Sequence, residues 1–215
     1  MWFDPKKLHR PDWDAGIRHL RRVDPVLKHI IQQVGPCTLH PRRDYFVVLC
    51  KSIFSQQISV AVATVLFGRF CNHFPRKRPT PARVIQLLEN ADEKTIRNCG
   101  LSKQKHAYLL DLARHFESGK LRTRRFASMT DEQIITALSD VRGIGRWTAE
   151  MFLMFVLNRP DVYPVDDLGL RKAVQRAYGL AEIPNAKQLH ELAKPWQPHR
   201  SLATWYLWRS IEGGM

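Results

Sequence analysis

Six residues constrain the fold of this chain more than any others: Val141-Arg142-Gly143-Ile144-Gly145-Arg146. On one side, Thr130-Asp131-Glu132-Gln133 has the S/T-x-x-E/Q spacing of a capping box and opens a helix that reaches Asp140. On the other, a second helix runs from Trp147 to Leu157. So short a gap predicts a tight αα hairpin. Gly143 and Gly145 let the backbone take positive φ and approach a partner without Cβ interference. The N–H groups of such a hairpin point outward, as do those at the start of the next helix, and together they form an anion site suited to a backbone phosphate. Thr148 can add a hydroxyl, and Arg142 and Arg146 add charge. None of these groups reads base identity, because phosphate contacts position a protein without specifying sequence. Alone, two glycines would serve equally well in a hairpin that binds nothing.

The rest of the chain is also helical in pattern. Asp12 can cap a helix through Arg22, and Asp24-Pro25 starts another that Gly35-Pro36 stops. Asp44–Phe54 and Val60–Phe74 are mostly apolar and flank the polar island Ser55-Gln56-Gln57-Ile58-Ser59. A basic, proline-punctuated loop, 75–81, follows, with Thr80 able to cap the next helix. Further helices fit 81–89, 92–99, 102–116, 167–178, 186–194 and 201–212. No run alternates over strand length, so the class is all-α, and no repeat of solenoid period is present.

Composition narrows the function. The chain has 34 Lys+Arg against 20 Asp+Glu, a formal net charge of +14, which suggests a polyanionic partner. Its 44% hydrophobic and 25% charged residues are ordinary for a globular chain. The longest apolar run, Met151–Leu157, falls far short of the roughly 20 residues that span a bilayer, and the N-terminal residues show no signal-peptide core. The expectation is an intracellular protein with no membrane partner. Cys37, Cys50, Cys71 and Cys99 stand apart, and the 9 histidines form no ligand pair, so no metal site is expected.

The string V-R-G-I-G-R-W-T-A resembles the helix–hairpin–helix element of the helix–hairpin–helix–Gly-Pro-Asp superfamily of base-excision DNA glycosylases. Three more motifs match in order. Tyr163-Pro164-Val165-Asp166-Asp167-Leu168-Gly169-Leu170-Arg171 stands where the family carries its catalytic aspartate, 167 − 145 = 22 residues after the hairpin. The island at 55–59 resembles the loop that probes the duplex gap. The tail Trp196-x-Pro198-x-Arg200-Ser201-x-Ala203, followed by Trp208, resembles the closing helix of the 3-methyladenine DNA glycosylase II (AlkA-type) branch.

The resemblance implies a two-lobed helical fold: residues 1–50 with 160–215 in one lobe, 51–159 in the other, the hairpin element at about 131–157, and duplex DNA bound across the cleft. Asp167 takes the catalytic role, because the family places an aliphatic residue three after its aspartate and Leu170 satisfies this; Asp166 then reads as a helix cap or a partner behind Asp167. A lysine two residues beyond the second hairpin glycine would mark lyase chemistry; here that residue is Trp147. Hydrolysis alone is therefore expected, leaving an abasic site. Trp147 and Trp208 match aromatic walls of the base pocket, whereas Met151 replaces an expected aromatic. Gln57 fills the gap left by the flipped base, with Gln56 beside it on the DNA. No cofactor is required, although family members can hold a monovalent cation on hairpin carbonyls, and a monomer is expected. The same machinery could release uracil, hypoxanthine or an oxidised purine, and a binding module without catalysis would share the hairpin.

Overall fold

The structure, a computed structural model, describes residues 11–212. Among these residues are twelve α-helices and no strand. They are α1 (Trp13–Val23), α2 (Pro25–Val34), α3 (Tyr45–Ser55), α4 (Val60–Cys71), α5 (Pro81–Asn90), α6 (Glu93–Asn98), α7 (Lys103–Glu117), α8 (Asp131–Ser139), α9 (Arg146–Phe155), α10 (Leu168–Ala177), α11 (Ala186–Ala193) and α12 (Arg200–Glu212). Local chemistry sets most of their starts. The side chains of Asp12, Asp24, Ser102 and Thr130 each accept a backbone N–H in the first turn of the helix they precede. At Thr130 the capping box is complete, since Gln133 also reaches back to the Thr130 N–H.

Three local expectations change. Thr80 makes no side-chain cap bond to α5. Helix α4 stops at Cys71 rather than continuing to Phe74, because the chain turns at Asn72. Helix α9 ends at Phe155, shortly before Asn158 takes a left-handed φ of 53°.

The chain divides into two compact units. One comprises residues up to Pro41 and from Glu150 onward, and the other Arg42–Ala149. These boundaries fall nine and ten residues before the sequence-based ones at 50/51 and 159/160. Helix α3 packs on α4 and α7 and so belongs whole to the central unit. At the other border, Phe155 of α9 stacks on Trp208 of α12, which assigns that end of the helix to the terminal unit.

In the terminal unit, α12 packs on α2 and α10 around Leu27, Val174, Trp196 and Tyr206. Helix α12 buries Ser201 through Leu207 without a break, so it has no polar face and serves as the unit's central helix. Asp24, only 7% exposed, organises one end of this core. It accepts from the N–H groups of Val26 and Leu27, from Tyr178 Oη at 2.6 Å and from Trp196 Nε1 at 2.8 Å. Burial first, and then the Asp24 contact, push the Tyr178 hydroxyl well above the ordinary tyrosine range.

The central unit is built on Leu49, Ile53, Phe54, Leu109, Leu112, Ile134 and Leu138. Phe54 and Phe74 both pack on Phe70, at 5.2 and 4.9 Å between ring centroids. Such pairs add to the roughly 1.5–3 kcal/mol gained by burying each large apolar side chain. Cys50 lies wholly inside, and burial raises its thiol well above the usual range.

Candidate active site

The terminal unit carries the carboxylates. Asp167 is the N-cap of α10, and its Oδ1 accepts from the Leu170 N–H at 2.5 Å. The Trp208 indole Nε1 donates to the same oxygen at 3.0 Å. Gly169 makes room for this arrangement: a Cβ there would lie 3.0 Å from Asp167 Oδ1 and 3.5 Å from Trp208 Nε1. The Trp208 ring stacks on Phe155, with centroids 5.7 Å apart and planes 19° from parallel. Asp166 is exposed and does not cap α10; that expectation is corrected, since the cap is Asp167 itself.

The segment leading to Asp167 is fixed by the start of α12. Arg200 places Nε and Nη2 on the two Asp161 carboxylate oxygens, each at 2.8 Å. Ser201 Oγ donates to the Arg159 carbonyl at 2.6 Å and accepts from the Val162 N–H at 2.8 Å. The residues singled out in the tail motif thus act on the loop that delivers the carboxylate.

The central unit carries the hairpin. Gly143 has φ 82°, and a Cβ there would fall 2.1–2.6 Å from ring carbons of Tyr108. Only glycine fits on both counts. Gly145 differs from expectation: it has no left-handed φ, and nothing lies within 4 Å of a Cβ built on it. Its missing side chain leaves open space rather than relieving strain. At the start of α9 the Ala149 N–H donates to the Gly145 carbonyl at 3.1 Å.

Charge around the hairpin is divided unevenly. Arg146 makes a bidentate pair with Glu132, at 2.5 and 3.1 Å, which draws the Glu132 carboxyl below its usual range. Both side chains are more than half exposed, so Arg146 meets solvent as one half of an ion pair rather than as a lone cation. Arg142 is exposed, its backbone N–H donates to Asp111 Oδ2 at 2.8 Å, and no described residue accepts from its guanidinium. Thr148 is buried, at 8% exposure, whereas Trp147 is 50% exposed. Met151 stands one turn further along α9, half-buried.

The polar island occupies the turn between α3 and α4. Gln57 is exposed, with a left-handed φ of 61°. Gln56 beside it is half-buried, and its Nε2 donates to the Gly143 carbonyl at 2.7 Å. Among the described residues, no group of three or more His, Cys, Asp or Glu is placed to hold a metal, and no helix is long and apolar enough to cross a membrane.

A family model for HhH-GPD superfamily base excision DNA repair proteins matches residues 50–198. The chain belongs to the HhH-GPD superfamily. Within it, the chain falls in the 3-methyladenine DNA glycosylase branch. The alkylbase DNA glycosidase-like protein mag2 of Schizosaccharomyces pombe is 30% identical over 92% of this chain and 93% of its own length. DNA-3-methyladenine glycosylase 1 of the same yeast is 32% identical over 90% of this chain and 86% of its own. Among solved structures, the S. pombe 3-methyladenine DNA glycosylase in complex with abasic DNA superposes with a TM-score of 0.79. It is 31% identical to this chain, covering 92% of it and 97% of the solved chain. A Bacillus halodurans DNA-3-methyladenine glycosidase gives the same TM-score at 31% identity, covering 91% and 88%.

Several residues of this HhH-GPD protein were not singled out from sequence. Phe155 lies four residues beyond Met151 on the same face of α9, so helical spacing alone could have marked it as the aromatic partner of Trp208. Tyr108, Asp111 and Glu132 give no such signal, because their places under and beside the hairpin arise from tertiary packing.

Proposed function

We propose that this protein is a monofunctional DNA glycosylase that flips alkylated purines of the 3-methyladenine and 7-methylguanine type out of duplex DNA and hydrolyses their glycosidic bond. The observation that carries the reading is the setting of Asp167, whose Oδ1 receives two N–H donors that fix the carboxylate at a helix start. Relatives named as 3-methyladenine glycosylases supply the substrate class. A purine alkylated at N3 or N7 is cationic, so its bond to C1′ is already weakened. As that bond breaks, its electron pair leaves with the base and positive charge grows on the sugar. A fixed carboxylate stabilises this charge electrostatically. Water then adds to C1′ and gives up a proton, leaving an abasic site and a free base. Trp147 would offer an indole face to the cationic base. As the family position for a lyase amine is Trp147, no Schiff base forms. Gly145 and the first N–H groups of α9 would take a backbone phosphate, with Arg142 adding charge. A single copy holds both the hairpin and the carboxylate, so the protein is proposed to act as a monomer.

The test is base release from methylated duplex DNA by the wild type and by Asp167→Asn. Asparagine caps helices about as well as aspartate, so the variant retains its fold. Release of 3-methyladenine by the wild type, with loss of about a thousandfold or more in the variant and unchanged DNA affinity, is the expected result. Release at the wild-type rate by Asp167→Asn refutes the mechanism. Absence of any released base from the wild type refutes the enzymatic reading in favour of a binding module.

A further inference from the structure

The polar island and the hairpin of the central unit share one mount. Lys105, Tyr108 and Asp111 lie three residues apart on one face of α7. Lys105 Nζ donates to the Phe54 carbonyl at 2.7 Å, at the end of α3 where the polar island begins. Burial lowers the Lys105 amine from its usual range, so this contact holds a partly desolvated group. The Tyr108 ring fills the space beneath Gly143, and its hydroxyl accepts from Gln104 Nε2 at 2.6 Å. Asp111 accepts from the Arg142 N–H. One helix thus fixes the root of the island and the backbone of the hairpin.

Gln56 closes the arrangement directly. Its amide spans 87 residues of sequence to reach the Gly143 carbonyl at 2.7 Å. A carbonyl only accepts, so the contact requires an N–H donor on residue 56. The next residue, Gln57, holds a left-handed φ that a non-glycine side chain adopts only where its surroundings impose it. Gln56 is therefore the last anchored side chain before an exposed, strained one.

We propose that Gln56 is a positioning residue that locks the gap-probing loop to the hairpin, so that the phosphate grip and Gln57 meet the duplex as one preformed unit. Preorganisation of this kind spares the ordering cost that two independent loops would incur on binding. The inference rests on the proposed glycosylase reading for the role of Gln57, but its own test reads DNA affinity as well as base release.

The experiment compares wild type, Gln56→Met, Gln56→Glu, Gln57→Ala and the Gln56→Met/Gln57→Ala double variant. Affinity is measured for duplex DNA containing an abasic site, and base release is measured from methylated DNA. Gln56→Met keeps the side-chain volume and removes the donor. The expected result is an approximately tenfold loss of affinity and an approximately tenfold rise in half-saturating DNA, with the rate at saturation changed less than about twofold. In the Gln57→Ala background the same change costs less than about threefold, because the group being positioned is gone. Gln56→Glu matches Gln56→Met at neutral pH and regains affinity on acidification, since a protonated carboxyl donates where a carboxylate cannot. Wild-type affinity at neutral pH in both Gln56→Met and Gln56→Glu overturns the proposal. So does an equal cost of Gln56→Met with and without Gln57. If Gln56→Met fails to fold, Gln56→Glu decides, and absence of a pH-dependent recovery beyond that of wild type overturns it. A wild type that releases no base removes the glycosylase reading, while the affinity comparison still decides the coupling.

Discussion

The two hairpin glycines should respond oppositely to the same small change. In Gly143→Ala, the new Cβ would sit 2.1 Å from Tyr108 Cδ2 and 2.4 Å from Cγ, on a backbone at φ 82°. The left-handed conformation costs an alanine about 1–2 kcal/mol, and displacing a packed ring adds about 1–3 kcal/mol. A loss near 3 kcal/mol lowers the melting temperature of a chain this size by about 6–12 °C. Gly145→Ala meets no atom within 4 Å and carries no left-handed φ, so its melting temperature should stay within about 2 °C of wild type. Its methyl group instead occupies the approach to the first N–H groups of α9, the proposed phosphate site. Losing one or two charge-assisted hydrogen bonds to a phosphate weakens DNA binding about tenfold to a hundredfold. Thermal melting and fluorescence anisotropy with abasic-site duplex DNA, run on both variants, give the four values needed. Normal DNA affinity in Gly145→Ala would refute the assignment of that opening as the phosphate site. A wild-type melting temperature in Gly143→Ala would refute the steric argument.

Two further outcomes follow from individual hydrogen bonds. Trp208→Phe keeps an aromatic ring against Phe155 but removes the donor to Asp167 Oδ1, so single-turnover base release should fall about tenfold while affinity for abasic-site DNA holds within about twofold. An unchanged rate would show that Trp208 does not orient the carboxylate. Asp24→Ala strips the acceptor from four donors, including the fully buried Trp196 indole, at a cost of about 4 kcal/mol and a fall in melting temperature of about 8–16 °C. A fall below about 3 °C in a melting scan would show that water replaces the lost acceptor.

What was legible in the sequence was local. Helix starts at Asp12, Asp24, Ser102 and Thr130 could be read because the capping group and the N–H it satisfies lie within three residues of each other. The αα hairpin was legible for the same reason, as was the need for glycine at 143. Long-range contacts were not. Nothing in the string V-R-G-I-G-R-W-T-A says that Glu132 will occupy Arg146, that Tyr108 will underlie Gly143, or that Gln56 will turn inward to the hairpin carbonyl. Each depends on which face of a distant helix arrives beside the loop, and helical period alone leaves that choice open. The reversal at Gly145 has the same origin: two glycines look alike in sequence, but one answers to a neighbouring ring and the other to empty space.

Asp167 shows why local legibility and function can point to one residue for different reasons. As the N-cap of α10 it satisfies the Leu170 N–H, a task that serine, threonine or asparagine would perform about equally well. Capping therefore accounts for a short polar side chain at 167 but not for a negative one. Trp208 brings a second donor to the same oxygen, and Gly169 provides the room for it. In a chain with a net charge of +14, basic residues supply sequence-neutral attraction to DNA in abundance. A carboxylate held by a helix start and an indole adds nothing to that attraction. Under the proposed mechanism it adds a fixed negative charge for a sugar that becomes positive, and base release by Asp167→Asn isolates that contribution, with an unchanged melting temperature as the control, because the cap survives the exchange and the charge does not.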